Sequence, residues 1–203
     1  MSELIRSREA RGHRQRSGYT LVELMMAIAV FAIGVSGIIA MQKVAAAANQ
    51  HSKSLSLATN IAQGWLDALK ADSSLYTQAT QLTNTQLLAQ IGAGASNNGV
   101  WFRPAWNATK GIGAAFDAVG RPIDETSGDP ANAQFCVHLR LTQMYPNTGM
   151  NVIRSEVRVF WPRADAELPA PFCTAAGMTP AAILTASTDF HFVYQVSAVR
   201  QQQ

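Results

Sequence analysis

From Leu24 to Met41 every position is apolar except Ser36, and a carboxylate, Glu23, stands at the front of the run. A helix of that length spans the hydrocarbon of a bilayer. A plain anchor needs no charge at its edge and gives Gly18, just upstream, no role. The run does not end in a turn. It passes into KVAAAANQHSKSLSLATNIAQGWLDALKADSS, where Val44, Ala48, Leu55, Ala58, Ile61, Ala62, Trp65 and Leu69 recur at helical spacing. Alanine-rich composition and the absence of proline before Pro104 predict one helix from Tyr19 to about Ala71. Such a helix is roughly 80 Å long at 1.5 Å per residue, more than a membrane requires. Lys43, Lys53, Lys70, Asp67 and Asp72 enter only in its second half, which therefore reads as an amphipathic stem with one wet side.

The formal charge of +3 misleads if taken as a property of the whole chain. Residues 1–18 hold Arg6, Arg8, Arg11, Arg14 and Arg16 against Glu3 and Glu9, leaving eleven cations and eleven anions in the remainder. Basicity thus belongs to the leader, and overall charge offers no case for nucleic acid as a partner. An arginine-rich flank beside an apolar span does specify orientation: it stays cytoplasmic, and the chain beyond residue 42 crosses to the other side. Cys136 and Cys173 both lie in that exported part, where a disulfide survives. They either pair or remain two separately buried thiols.

Beyond the stem, Thr83 or Thr85 is positioned to cap a short helix through Ile91, and Gly92 to Gly99 reads as a loop. Residues 100–134 are rich in Gly, Pro and Asp and read as mostly irregular, with a short strand near Val100 to Phe102. The period then becomes two. Phe135, Val137, Leu139 and Leu141 alternate with Cys136, His138, Arg140 and Thr142; after a turn at Pro146 to Gly149, Val157, Val159 and Trp161 alternate with Arg154, Glu156 and Arg158. A third strand places Phe190, Phe192, Tyr194, Val196 and Ala198 on one face. The expected fold is α+β: an antiparallel sheet whose apolar face is covered by the Trp65 stripe of the stem.

Gly18-Tyr19-Thr20-Leu21-Val22-Glu23 ahead of the apolar run resembles the class III prepilin signal. The resemblance implies cutting by a prepilin peptidase after Gly18, N-methylation of the new terminus at Tyr19, and an assembly contact through Glu23. In this family that carboxylate is associated with the terminal amine of a neighbouring subunit. MAIAVFAIGVSGIIAMQ and LATNIAQGWLDALKAD further resemble the minor pilins of the PilV, or type IV pilus modification, group. Tyr19 departs from the usual Phe, the leader is longer than in many type IVa prepilins, and Ala40 stands where many major pilins have proline. What the resemblance implies is a pilin fold in four parts: a cleaved cytoplasmic leader (1–18), a transmembrane and filament-core helix (19–42), an amphipathic stem (43–72) and a globular domain (73–203). The implied protein is a minor pilus subunit that primes or caps assembly and supports adhesion or twitching. It is first anchored in the inner membrane by a single pass with its C-terminus periplasmic, then carried in the extracellular pilus. Implied partners are the major pilin, other minor pilins and a tip adhesin. A minor pseudopilin of a type II secretion system shares signal and architecture. A third reading, a soluble periplasmic binding protein released after Ala48, draws on the Ala45–Ala48 run; against it stand an over-long apolar core and a 23-residue polar lead.

Enzymatic and cofactor signatures are missing. His13, His51, His138 and His191 have no partners at ligand spacing, with His51 expected on the stem surface and His138 on a wet sheet face. No G-x-S-x-G or P-loop spacing occurs, and Asp124, Glu125 and Asp129 do not follow an EF-hand. The expectation is a structural protein, with no metal or cofactor. The four tryptophans read as core. His138, Arg140, Arg154 and Arg158, opposed by Glu156, share the outer face of the predicted hairpin. Uptake of DNA would use such a patch, but a solvated sheet face accounts for it and is the reading adopted.

Overall fold

The computed structural model describes residues 18–77, 81–91, 97–126, 132–144, 151–163, 172–174, 177 and 179–202. The chain divides into two units, with the boundary between Asn49 and Gln50. The N-terminal unit is helical from Leu21 onward, the start of helix α1 (Leu21–Asp72). No glycine breaks it: Gly34 and Gly37 both lie inside the helix.

In the second unit, α1 buries Ala58, Ile61, Ala62, Trp65, Leu66 and Leu69. These positions recur at three- and four-residue spacing, so they form one stripe. The apolar pattern extends further toward the N-terminus in sequence than it does in burial. Val44, Ala48 and Leu55 are exposed, so the covered stripe begins at Ala58. The stripe meets one face of a five-stranded antiparallel sheet made of β1 (Trp101–Phe102), β2 (Ala115–Phe116), β3 (Phe135–Met144), β4 (Val152–Pro162) and β5 (Phe190–Arg200). The spatial order is β1-β3-β4-β5, and β2 also pairs with β3. Phe135, Val137, Leu139 and Leu141 of β3 and Val157, Val159 and Trp161 of β4 enter the stem-side core, as their alternation predicts. The short strand near Val100 is present as β1, whereas β2 lies in the stretch read as irregular. The turn expected at 146–149 lies outside the described residues.

β5 reverses its expected facing. In register, Val159 pairs with Val193, Val157 with Gln195 and Ile153 with Val199, so the stem side of β5 carries His191, Val193, Gln195, Ser197 and Val199. Phe190, Phe192, Tyr194, Val196 and Ala198 do share a face, but it is the far one. A one-residue shift in phase moves a whole strand's side chains across the sheet. The far face has a second, smaller core: Ala114, Ala115, Ala133, Cys136, Phe160, Phe172, Cys173, Ile183 and Phe190. A one-turn helix α2 (Ala182–Thr185) contributes to it. Cys136 and Cys173 are joined in a disulfide that closes a separation of 37 residues. The alternative of two unpaired thiols is thereby excluded. Closing such a loop stabilises by about 4 kcal/mol in the chain-entropy model. Arg103 adds a further tie: it pairs with Glu125 and donates from Nη2 to the Cys173 carbonyl at 3.0 Å.

The stem's last residue corrects another expectation. Asp72 is fully buried instead of wet, and its carboxylate accepts from the backbone N–H groups of Gln86, Leu87 and Leu88 at 2.8–3.1 Å. It therefore caps the 3-10 turn Leu88–Ile91, the element for which Thr83 or Thr85 had been the candidate cap. The Thr85 hydroxyl instead donates to the Leu82 carbonyl. Just past the stem, the chain meets its own C-terminal segment. Gln202 N–H donates to the Tyr76 carbonyl at 2.8 Å, and Gln201 Nε2 donates to the Thr77 carbonyl at 2.9 Å. Because three amides depend on one carboxylate, Asp72→Ala should cost about 2 kcal/mol of stability. Thermal unfolding would show the loss, and hydrogen exchange should quicken first at Gln86, Leu87 and Leu88.

Candidate functional site

Gly18, Tyr19 and Thr20 precede α1, and Tyr19 is 86% exposed. Thr20 is the helix cap: its Oγ1 accepts from the Glu23 backbone N–H at 3.3 Å, and its carbonyl accepts from Leu24 N–H at 3.2 Å. Thr20-x-x-Glu23 has the spacing of a capping box, a signal legible in the sequence and missed there. Glu23 lies in the first turn, where the helix dipole favours an anion. The charge at the edge of the apolar run thus has one local reason before any partner is considered.

Downstream, the N-terminal unit presents its apolar surface uncovered. An 18-residue window of α1 has mean hydropathy 2.5 and no buried position, and the helix is long and apolar enough to cross a membrane. Leu24, Met25, Ile28, Phe31, Ile33 and Ile38 are all largely exposed. Ser36, the polar exception, donates to the Ile33 carbonyl at 2.8 Å and so leaves no donor for lipid to strand. A Cβ built on Gly34 or Gly37 would meet nothing within 4 Å. The single chain therefore gives neither glycine a packing reason, and both leave the backbone open to close approach by another helix. Apolar area of this kind needs lipid or other helices.

On the far face of the sheet, the cationic cluster is not the solvated patch expected. His138 is fully buried, Glu156 is 1% exposed and Arg158 is 9% exposed. Cross-strand pairing aligns His138 with Arg158 and Tyr194, and Arg140 with Glu156 and Val196. Both guanidinium nitrogens Nε and Nη2 of Arg140 donate to Glu156, as do Arg154 Nη2 at 2.8 Å and the Tyr194 hydroxyl. The Arg140 hydrogen bonds, seconded by that of Tyr194 and opposed by desolvation, hold the Glu156 carboxyl below its ordinary value. Arg158 is handled differently. Its Nη2 lies 2.9 Å from His138 Nδ1, and its guanidinium sits 4.6 Å from the Trp101 ring centroid, with that of Arg140 at 4.9 Å. Burial, with the Arg140 charge beside it, lowers the Arg158 pKa to about 10. Trp101, read from sequence as core, is a half-buried cation–π platform across this face. Trp65 and Trp161 are core as expected. His51 is exposed on the stem, as read, but its ring contacts those of His191 and Trp161.

The structure brings Tyr19 and Glu23 into the same helix start and joins Cys136 to Cys173; the leader up to residue 17 and Asp129 lie outside the described residues. Among the described residues, no group of three or more His, Cys, Asp or Glu side chains is arranged to hold a metal ion. Residues 13–39 match the prokaryotic N-terminal methylation motif. No curated protein and no solved structure matches the chain. The motif encloses Gly18, Tyr19, Glu23 and most of the uncovered helix.

Glu156 makes the far face sensitive to acid. Its carboxyl is depressed from 4.5 in the folded state, so the unfolded chain takes up the proton first as pH falls. The stabilisation is fully present above about pH 4.5 and is lost as pH drops through the folded value. Thermal midpoints between pH 2 and 7 should fall on the acid side. Glu156→Gln should lose about 3 kcal/mol at pH 7 and flatten that slope.

Proposed function

We infer that this type IV pilin-like chain is a minor subunit of a type IV pilus, of the PilV type, which primes or caps assembly. Through that role it would support adhesion or twitching. The observation that carries this reading is the methylation motif at 13–39 leading into an apolar helix with no buried position in its 18-residue membrane-length window. That combination supports membrane anchoring first and helix-bundle assembly afterward, and it points to a structural subunit.

The proposed mechanism begins at Gly18. Cutting there by prepilin peptidase removes the arginine-rich leader and leaves an amine on Tyr19, two residues before α1. N-methylation at Tyr19 preserves the positive charge. A cation at that end of a helix opposes the dipole, and a carboxylate offsets it. Glu23, carried into an apolar bundle, in turn needs a cation, because an unpaired charge there is costly. One subunit's amine and the next subunit's Glu23 answer both needs and set the axial step between helices. On this proposal residues 19–42 serve first as the single membrane pass and then as filament core, and 43–72 as the stem. Residues 73–203, with the Cys136–Cys173 disulfide, form the domain facing the periplasm and later the outside. Major and minor pilins, and a tip adhesin, are the proposed neighbours.

Mass spectrometry of the mature N-terminus should find methylated Tyr19; a terminus at Asn49 would instead identify a secreted periplasmic protein. Glu23→Ala should leave cleavage intact yet reduce the chain in sheared filaments to background, and unchanged incorporation would sink the mechanism. Deletion separates the pilus from a type II secretion system. Loss of piliation is expected, whereas loss of protein secretion with normal pili would reassign the chain as a minor pseudopilin.

A further inference from the structure

Among the described residues, the far face of the sheet sets three guanidiniums, those of Arg140, Arg154 and Arg158, against one carboxylate, Glu156. Glu156 is saturated: Oε1 accepts from Arg140, Arg154 and Tyr194, and Oε2 from Arg140. Arg158 gets none of it. Its Nε is buried and has no partner, and among the described residues no carboxylate lies within ion-pairing distance. Trp101 and His138 blunt the cost of burying that guanidinium without cancelling its charge.

Beside this charge lies an apolar strip that the described residues cover only in part. Phe192 is 37% exposed, Tyr194 48% and Val196 47%, all on the same side of β5 as Arg158 and Arg154 are on β4. β5 is the outermost strand, and no described strand pairs with its free edge. Surplus cation and apolar side chains together describe a complement: an anion flanked by apolar groups. We propose that the face formed by Arg154, Arg158, Phe192, Tyr194 and Val196 docks an acidic segment of a partner protein, with a carboxylate meeting Arg158 and apolar side chains covering β5.

Nucleic acid fits less well. Two of the three guanidiniums are already committed to Glu156, and a phosphate backbone has nothing with which to bury Phe192 or Val196. A partner carboxylate at Arg158 would meet a charge that the fold has already stripped of most of its water, so little solvent screens the attraction. The inference depends on the sheet face alone and stands apart from the role of Glu23.

The test is site-specific photo-crosslinking from a benzophenone side chain at Val196, and separately at Phe192, in the full chain within cells that make it. Peptide mapping of the adduct identifies what touches β5. The expected adduct is a segment of another protein with Asp or Glu within about three residues of the crosslinked position, one turn of helix or one strand repeat. Arg158→Gln should lower its yield at least about tenfold, the scale of losing one desolvated charge pair. Formation of the Cys136–Cys173 disulfide reports that this variant has folded. If it has not, the half-exposed Arg154→Gln takes its place and should lower the yield severalfold. An adduct on nucleic acid, on lipid, on a second copy of this chain or on a segment without acidic residues would overturn the proposal. So would no adduct from either position, or a yield indifferent to the arginine. Loss of filament incorporation in Glu23→Ala is read separately, so failure of the assembly mechanism and failure of this docking face cannot be confused.

Discussion

The Trp65 stripe determines which side of the sheet becomes the main core. A helix can cover only one face, and Ala58, Ile61, Ala62, Trp65, Leu66 and Leu69 cover the face bearing Val137, Leu139, Val157 and Val159. Everything on the other face must then find its own cover. At one end the disulfide, Phe172, α2 and Phe190 supply it. Toward the other, among the described residues, the cover is Trp101 laid over two guanidiniums, and Tyr194 and Val196 of β5 stay about half exposed. The acid-sensitive cluster and the proposed docking face are both products of that incomplete second layer.

The long helix was legible because its signals are local and redundant: no proline, much alanine, and apolar spacing sustained over many turns. β3 and β4 were legible because their charged residues mark one side of a strict alternation. β5 was not. Its two sides read FxFxYxVxA and HxVxQxSxV, and the more apolar side by composition faces away from the stem. Periodicity reveals that a strand has two sides; it does not say which side meets a partner when both layers of the fold have apolar claims on it. His138 and Arg158 were misplaced for the same reason, since a second layer built from distant, irregular segments leaves no periodic trace.

Asp72 shows a different limit. At the end of an amphipathic helix, beside Lys70 and two serines, an aspartate reads as solvent-facing. Its burial depends on three amides 14 to 16 residues away arriving with their N–H groups converging. At the other end of the helix the opposite holds. Thr20 and Glu23 are three residues apart, and their capping relationship follows from spacing alone. Of the site residues, those at Gly18 to Glu23 were accessible because their chemistry is contiguous. The cationic face was seen as a set of residues but not as a buried one.

The junction just after the stem has a mechanical consequence. The C-terminal residues Gln201 and Gln202 are stitched to Thr77 and Tyr76, so the polypeptide leaves the stem and returns to it at one place. Tension applied along the stem enters the sheet-bearing part at a point where its first and last segments are already fastened together. The contacts available at that point to resist it are the buried stripe, the Asp72 carboxylate and these backbone bonds. The stem's exit and the segment that follows β5 are thus fixed to each other at one point.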